Sequence, residues 1–150
     1  MSLKGVVTAV MSAVAVVVCA GTSVAQRDLT AELVGRWEGT QQQIGVRRGA
    51  ETPVRERVLI IRSVKPSKGG WTVDATYGLP GEKPARFRSS AAQLTETADG
   101  VTLTLTYRNG SNLRLRLADK DWLQGDYQAA EGGARPRTVS LKRVGPVPKP

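Results

Sequence analysis

"VTLTLTYRNGSNLRLRLA", residues 101–118, carries the clearest structural pattern in the chain. Apolar and polar side chains alternate on both sides of Asn109-Gly110, so each half has one apolar face and one polar face. A period of two predicts half-buried β-strands, and Asn-Gly between two such runs predicts a tight hairpin. The stretch therefore indicates an antiparallel sheet with one buried face.

The same alternation recurs elsewhere in the chain. It is clear in "WTVDATY" (71–77) and "RTVSLKR" (137–143), whereas "RVLIIRSV" (57–64) is a β-branched run typical of a more completely buried strand. Three weaker segments bring the total to about eight strands: residues 35–44, 85–95 and 121–129. Gly, Asn, Asp or Pro marks the turns between them.

A closed arrangement suits this many short strands. Sequential antiparallel strands with one apolar face leave two exposed edges unless the sheet closes on itself. We therefore predict an all-β fold, a single antiparallel up-and-down barrel of about eight strands, with a β-sandwich as the alternative. One short helical turn is predicted at residues 28–34, where Asp28 or Thr30 would cap its start.

The first residues have the features of a signal peptide. Lys4 precedes an apolar stretch, residues 5–18, and Ser23-Val24-Ala25 supplies small residues for cleavage after Ala25. Lipoprotein processing at Cys19 is the alternative. We expect a cleaved leader at 1–25, a barrel domain at 26–144, a proline-rich disordered tail at 145–150, and a periplasmic or secreted location.

The composition excludes several classes of enzyme. The chain has no histidine, and its one cysteine, Cys19, lies in the leader. Catalytic triads and cysteine nucleophiles are thereby excluded, and we expect no catalytic residue, no metal site and no cofactor. A hydrolase using carboxylates remains a third hypothesis, with Asp119, Asp121 and Asp126 close together in sequence. Turn positions explain the first two of these aspartates, and alternation places Asp74 on the outer face.

Positive charge is the other distinctive property. The 22 lysines and arginines outnumber the 13 acids, for a net charge of +9 that falls by one if Lys4 is removed. An exported basic protein can attract anionic lipid, lipopolysaccharide or an acidic protein partner, but it does not meet nucleic acid. Four arginines near the long connection after residue 44 form a candidate basic rim: Arg47, Arg48, Arg55 and Arg57.

Gly35-x-Trp37, directly after the predicted helical turn, resembles the Gly-x-Trp signature of lipocalins and their calycin relatives. In that group a basic residue late in the last strand stacks on the tryptophan, and alternation from Val139 and Leu141 makes Arg143 the candidate here. Gly35, Trp37 and Arg143 would form a structural anchor. The short chain resembles small bacterial lipocalin-like barrels, which include periplasmic inhibitors of secreted metalloproteases.

Two functions follow from this resemblance and from the absence of catalytic groups. The first is a monomeric, non-catalytic binding protein of the cell envelope whose barrel holds a small apolar or amphipathic ligand, or an anionic envelope component. Five aromatic residues would line the ligand cavity, or else simply fill the core: Trp71, Tyr77, Phe87, Tyr107 and Tyr127. The second is an inhibitor or interaction protein that acts through loops or through the N-terminal arm Gln26-Arg27-Asp28-Leu29.

Overall fold

The computed structural model describes residues 27–43, 53–131 and 135–149. The predicted leader, Cys19, Gln26 and the two arginines Arg47 and Arg48 lie outside these residues. Within the described ranges, no helix has both the length and the apolar character that a membrane crossing requires.

One short helix precedes a series of strands. Asp28 caps the helix by accepting a hydrogen bond from the Ala31 amide at 3.1 Å, whereas the Thr30 hydroxyl donates to the Val64 carbonyl oxygen at 2.8 Å. The elements are α1 (Leu29–Leu33), β1 (Gly35–Gln42), β2 (Val54–Ser67), β3 (Gly70–Gly78), β4 (Ala85–Arg88), β5 (Ala92–Thr97), β6 (Gly100–Thr106), β7 (Asn112–Asp119), β8 (Trp122–Gln128) and β9 (Arg137–Gly145).

All nine strands belong to one antiparallel sheet. Their order is β4-β3-β2-β1-β9-β8-β7-β6-β5, so consecutive strands pair except β4 and β5, which are the two edges of the sheet, and β1 also pairs with β9. That pairing joins the first and last strands and nearly closes the sheet into a barrel. The predicted antiparallel up-and-down barrel is confirmed, with one strand more than the sequence indicated.

The additional strand comes from a break in the predicted segment 85–95. Strand β4 is antiparallel to β3, and β5 is antiparallel to β6. Strands β4 and β5 point in the same direction in the barrel. A 3₁₀ turn at Ser89–Ala91 separates them. Because β4 pairs with β3 and β5 pairs with β6, a gap remains between β4 and the end of β6. We call this gap the seam.

Alternating side chains fill the barrel interior. In β2, Leu59 and Ile61 are fully buried while Val58 and Ile60 are partly exposed on the outer face. The sequence predicts a more completely buried strand over residues 57–64, whereas the structure buries one face fully and leaves the other partly exposed, because this strand lies in a single sheet with one face toward the core.

The two ends of the barrel differ. Helix α1 packs against one end, the base, where the short turns β2–β3, β5–β6 and β7–β8 also lie. The other end, the mouth, carries the longer connections β1–β2, β3–β4 and β8–β9 together with the β6–β7 turn. The mouth is therefore the candidate functional end, since loops on a rigid scaffold are the usual place for binding residues.

Candidate ligand-binding site

Trp37 closes the base of the barrel. Its side chain is 0% exposed, and its indole N–H donates a hydrogen bond to the Leu33 carbonyl oxygen at 3.0 Å. Leu29 and Leu33 of α1 are buried in the same core. The indole thus joins the helix to the first strand, and burial of its large ring contributes several kcal/mol, about 3–5 by comparison with Trp-to-Ala substitutions in other cores.

Arg143 covers the tryptophan ring. The register pairs Trp37 with Arg143 across β1 and β9, and the guanidinium carbon lies 4.4 Å from the ring centroid. The Nη1 atom also donates to the Val34 carbonyl oxygen at 3.0 Å, and Nε lies 3.7 Å from Asp121 Oδ1. A cation–π contact with two further polar partners fixes this side chain over the base.

Gly35 makes room for that arginine. A Cβ at this position would lie 3.3 Å from Arg143 Nη1 and 3.0 Å from the Gly145 carbonyl oxygen, and the φ angle of +154° is one that L side chains rarely adopt. The glycine of the Gly-x-Trp pattern is therefore required by its neighbours. The structure brings Gly35, Trp37 and Arg143 into one cluster.

A polar network lies at the mouth. Gln41 is buried, and its Oε1 atom accepts two hydrogen bonds at 2.9 Å, one from the Tyr77 hydroxyl and one from Arg57 Nε. The Arg57 guanidinium carbon also lies 6.0 Å from the Tyr77 ring centroid. One glutamine side chain thus holds a tyrosine and an arginine at the top of the barrel.

Three aromatic rings extend this network. The rings of Phe87 and Tyr107 meet edge to face with centroids 4.9 Å apart, and those of Tyr107 and Tyr127 do so at 5.7 Å. The Arg137 guanidinium carbon lies 5.2 Å from the Tyr127 ring centroid. Four of the five predicted ligand-binding aromatics are therefore brought together.

Burial shifts the ionisation of two of the phenols to higher pH. It raises the pKa of Tyr107 to about 12, and it raises the pKa of Tyr77 further, in spite of the neighbouring Arg57, which acts in the opposite direction. A neutral phenol donates one hydrogen bond, and that of Tyr77 goes to Gln41, so Tyr107 is the tyrosine that adds a donor to a mouth that already contains guanidinium groups.

Two cavities open beside this cluster. The mouth cavity has a volume of about 280 Å³ and is lined by Gln41, Arg57, Tyr77, Tyr107, Tyr127 and Arg137, with Lys83 and Glu82 at its edge. A second cavity, the seam cleft, has a volume of about 810 Å³ and lies between β4 and the end of β6. Tyr107 and Lys83 line both of them.

The centre of the barrel offers no comparable space. Leu59, Leu103 and Leu115, which project inward from three different strands, have exposed fractions of 0 to 1%. A water-sized void beside such a side chain would raise its exposed fraction, so these leucines are packed against other atoms. The described barrel is therefore filled along its middle and open at its mouth and seam.

The remaining sequence-predicted residues lie elsewhere. Trp71, a predicted ligand-binding residue, pairs with Pro66 beside the β2–β3 turn and so lies toward the base, away from the other four aromatics. Arg55 of the candidate rim is exposed, while Arg57 lines the mouth cavity. Leu29 of the predicted N-terminal arm is buried in the core, whereas Arg27 and Asp28 are exposed.

The aspartates considered for catalysis make structural contacts. Asp74 forms salt bridges with Arg86 and Arg88 on the outer face, at 2.8 and 3.2 Å. Asp119 accepts a hydrogen bond from the Lys120 amide at 2.6 Å in the β7–β8 turn. Asp121 faces Arg143 at the base.

Sequence reasoning missed three residues of the mouth: Gln41, Arg137 and Lys83. Gln41 shares its parity with Trp37 on β1, so alternation places it inward, but its polar side chain made it an unlikely core residue. Arg137 reaches the mouth because β9 pairs with β8, and Lys83 reaches it through the β3–β4 connection. No local sequence pattern reveals either placement.

Comparison of the chain with protein-family models, with curated proteins and with solved structures gives no match. The nearly closed antiparallel barrel, with its short N-terminal helix, is consistent with a lipocalin-like fold.

Proposed function

We propose that this protein is a non-catalytic binding protein whose barrel mouth takes a small amphipathic molecule that carries an anionic group. The observation that carries the proposal is the mouth cavity, where the guanidinium groups of Arg57 and Arg137 meet the rings of Tyr77, Tyr107 and Tyr127. A cavity in which a few polar groups converge beside aromatic side chains is a typical ligand site.

Arg57 is the main candidate for recognition of the anion. Its Nε atom is already bonded to Gln41, which orients the guanidinium group. Among the described residues no acidic side chain forms an ion pair with it, so its two Nη groups are available to a ligand. A planar guanidinium group binds a carboxylate or a phosphate through two parallel hydrogen bonds.

Arg137, Lys83 and the tyrosines complete the site. Arg137 lies over the Tyr127 ring, which holds a second guanidinium group at the same cavity. Tyr107 offers a neutral hydroxyl group and an aromatic surface beside it. Glu82, which also lines the cavity, is outnumbered there by Arg57, Arg137 and Lys83. The balance of charge favours an anion over a cation.

The predicted leader supports a place for this binding protein in the cell envelope or outside the cell. Amphipathic anions, such as fatty acids and fragments of anionic lipids, are abundant there. The proposal therefore combines the chemistry of the mouth with the location that the first 25 residues predict.

Titration calorimetry with decanoate and with decanol tests this function. We expect saturable binding of decanoate and at least tenfold weaker binding of decanol, because only the carboxylate makes charged hydrogen bonds, which contribute about 1.5–3 kcal/mol. The double variant Arg57→Gln, Arg137→Gln should lose this preference. The matched control is Arg114→Gln on the exposed outer face of β7, which should keep it.

Equal affinity for the acid and the alcohol would contradict the proposed role of the arginines. No saturable binding of either compound would contradict ligand binding at the mouth altogether.

A further inference from the structure

The seam cleft lies directly beside the mouth cavity. It is bounded by Lys83 and Pro84 ahead of β4, by β4 itself, by Ala91, and by Thr106–Asn109 at the end of β6. Tyr107 and Lys83 form a common wall of the two cavities. A molecule held at Arg57 therefore has an adjoining space into which the rest of its structure can extend.

The floor of this cleft is apolar. Phe87 points inward from β4 and is 2% exposed, and its ring meets the edge of the Tyr107 ring at 4.9 Å. Ala85, Ala91 and Pro84 add small apolar surfaces, whereas Arg86, Arg88 and Arg108 stand at the outer margin. An apolar floor with cations at its margin suits a hydrocarbon chain attached to an anionic group.

The barrel axis is a poor alternative for such a chain. Leu59, Leu103 and Leu115 occupy it with exposed fractions of 0 to 1%, and entry would require these packed side chains to move. Overpacking of a filled core costs free energy, whereas the seam is already open.

We propose that the apolar chain of the bound anion lies in the seam cleft between β4 and β6. The bound ligand then extends sideways through the wall of the barrel and not along the barrel axis. This inference depends on the proposed function, since it takes the anionic group to be at the mouth. The break at Ser89–Ala91 then has a role in binding. It ends β4 beside β3 and starts β5 beside β6, and the cleft stays open between β4 and the end of β6.

A series of straight-chain carboxylates from hexanoate to tetradecanoate, each below its micelle concentration, tests the assignment. Affinity should rise about fourfold for each methylene group that the cleft accommodates. Ala91→Phe, which narrows the cleft, should make this rise clearly shallower while the affinity for hexanoate changes less than twofold. Thr95→Phe adds the same ring on the exposed face of β5, outside the cleft, and should leave the whole series unchanged.

Quenching by decanoate brominated at its chain end gives a second measurement that does not depend on Ala91→Phe folding normally. All three native tryptophans lie at or toward the base, so a chain in the seam leaves their emission unquenched, whereas a chain along the axis approaches Trp37. Thr106→Trp places an indole at the wall of the cleft, and its emission should be quenched.

Three results would overturn the seam assignment while leaving anion binding at the mouth intact. They are affinity that does not depend on chain length, a length dependence that is equally steep in Ala91→Phe, and strong quenching of the native tryptophans with none at Thr106→Trp. Absence of saturable binding at every chain length would instead overturn the proposed function itself.

Discussion

Arg143 connects three parts of the base through one side chain. It stacks on Trp37 of β1, bonds to the carbonyl of Val34 at the end of α1, and faces Asp121 in the β7–β8 turn. Each contact is modest alone, but together they hold the helix, the first strand and the last strand in one geometry.

We expect Arg143→Met to lower the free energy of unfolding by about 2 kcal/mol, because it removes a cation–π contact and a charged hydrogen bond. Urea unfolding followed by tryptophan fluorescence measures this change. Arg114→Met, at an exposed position on β7, should change the free energy by less than about 0.5 kcal/mol. Equal effects of the two substitutions would contradict the role given to Arg143.

The lipocalin resemblance suggested a basic residue over Trp37, and alternation along the last strand selected Arg143 as the candidate; the structure pairs these two residues across β1 and β9. Alternation was not sufficient to predict the burial of Gln41, because its position on β1 faces inward but its side chain is polar. The glutamine is acceptable in the core because the Tyr77 hydroxyl and Arg57 satisfy its oxygen, a cross-strand arrangement that a single sequence does not reveal.

The break between β4 and β5 is the element that the sequence described least well. Ser89, at the start of the 3₁₀ turn, has a φ angle of +52°, in a region that non-glycine residues rarely adopt. Residues 85–95 contain none of the residues glycine, proline, asparagine and aspartate that mark the other turns. The sequence therefore predicts one weak strand over this segment. The pairing of its two halves with different neighbours determines the break.

We expect Ser89→Val to destabilise the fold by about 1–2 kcal/mol, because a β-branched side chain is strongly disfavoured at this φ angle. Ser89→Gly should retain stability or increase it slightly. Ser90 is exposed in the same turn and has no positive φ angle, so Ser90→Val is the matched control and should change little. Thermal unfolding of the three variants measures these differences, and equal losses for Ser89→Val and Ser90→Val would show that the backbone angle is unimportant.

The remaining elements followed from periodicity. The hairpin of β6 and β7, the short helix with Asp28 as its cap, and the antiparallel closure all match the predictions. Periodicity failed for β2, where a run of β-branched residues suggested burial on both faces although the strand has only one buried face. A β-branched side chain on an outer face still favours a strand, so composition alone overestimated the burial.

At the scale of the whole molecule, the burial of two phenols makes the stability of the fold depend on pH in alkaline solution. Tyr77 and Tyr107 have pKa values raised above the ordinary value of 10, to about 12 for Tyr107. Both are protonated in the folded and unfolded states at lower pH. Above about pH 10 the unfolded chain loses these protons first, so unfolding becomes more favourable until the folded phenols also ionise.

We expect the free energy of unfolding to fall by about 1.4 kcal/mol per pH unit for each of these tyrosines, from about pH 10 until the folded pKa is reached. Urea unfolding at a series of pH values measures the slope. Tyr107→Phe should show a shallower fall than the unmodified chain between about pH 10 and pH 12. Identical slopes would show that the Tyr107 phenol ionises equally well in the folded protein.

The pairing of β1 with β9 has a consequence for how the barrel is made. Trp37 leaves the ribosome long before the arginine that covers it and the strand that closes the sheet. Until β9 is made, β1 pairs only with β2 and β8 pairs only with β7, so the nascent chain cannot complete its tertiary structure. Closure of the barrel is therefore a late step of its biogenesis, and any chain that stops before β9 keeps one edge of β1 and one edge of β8 exposed.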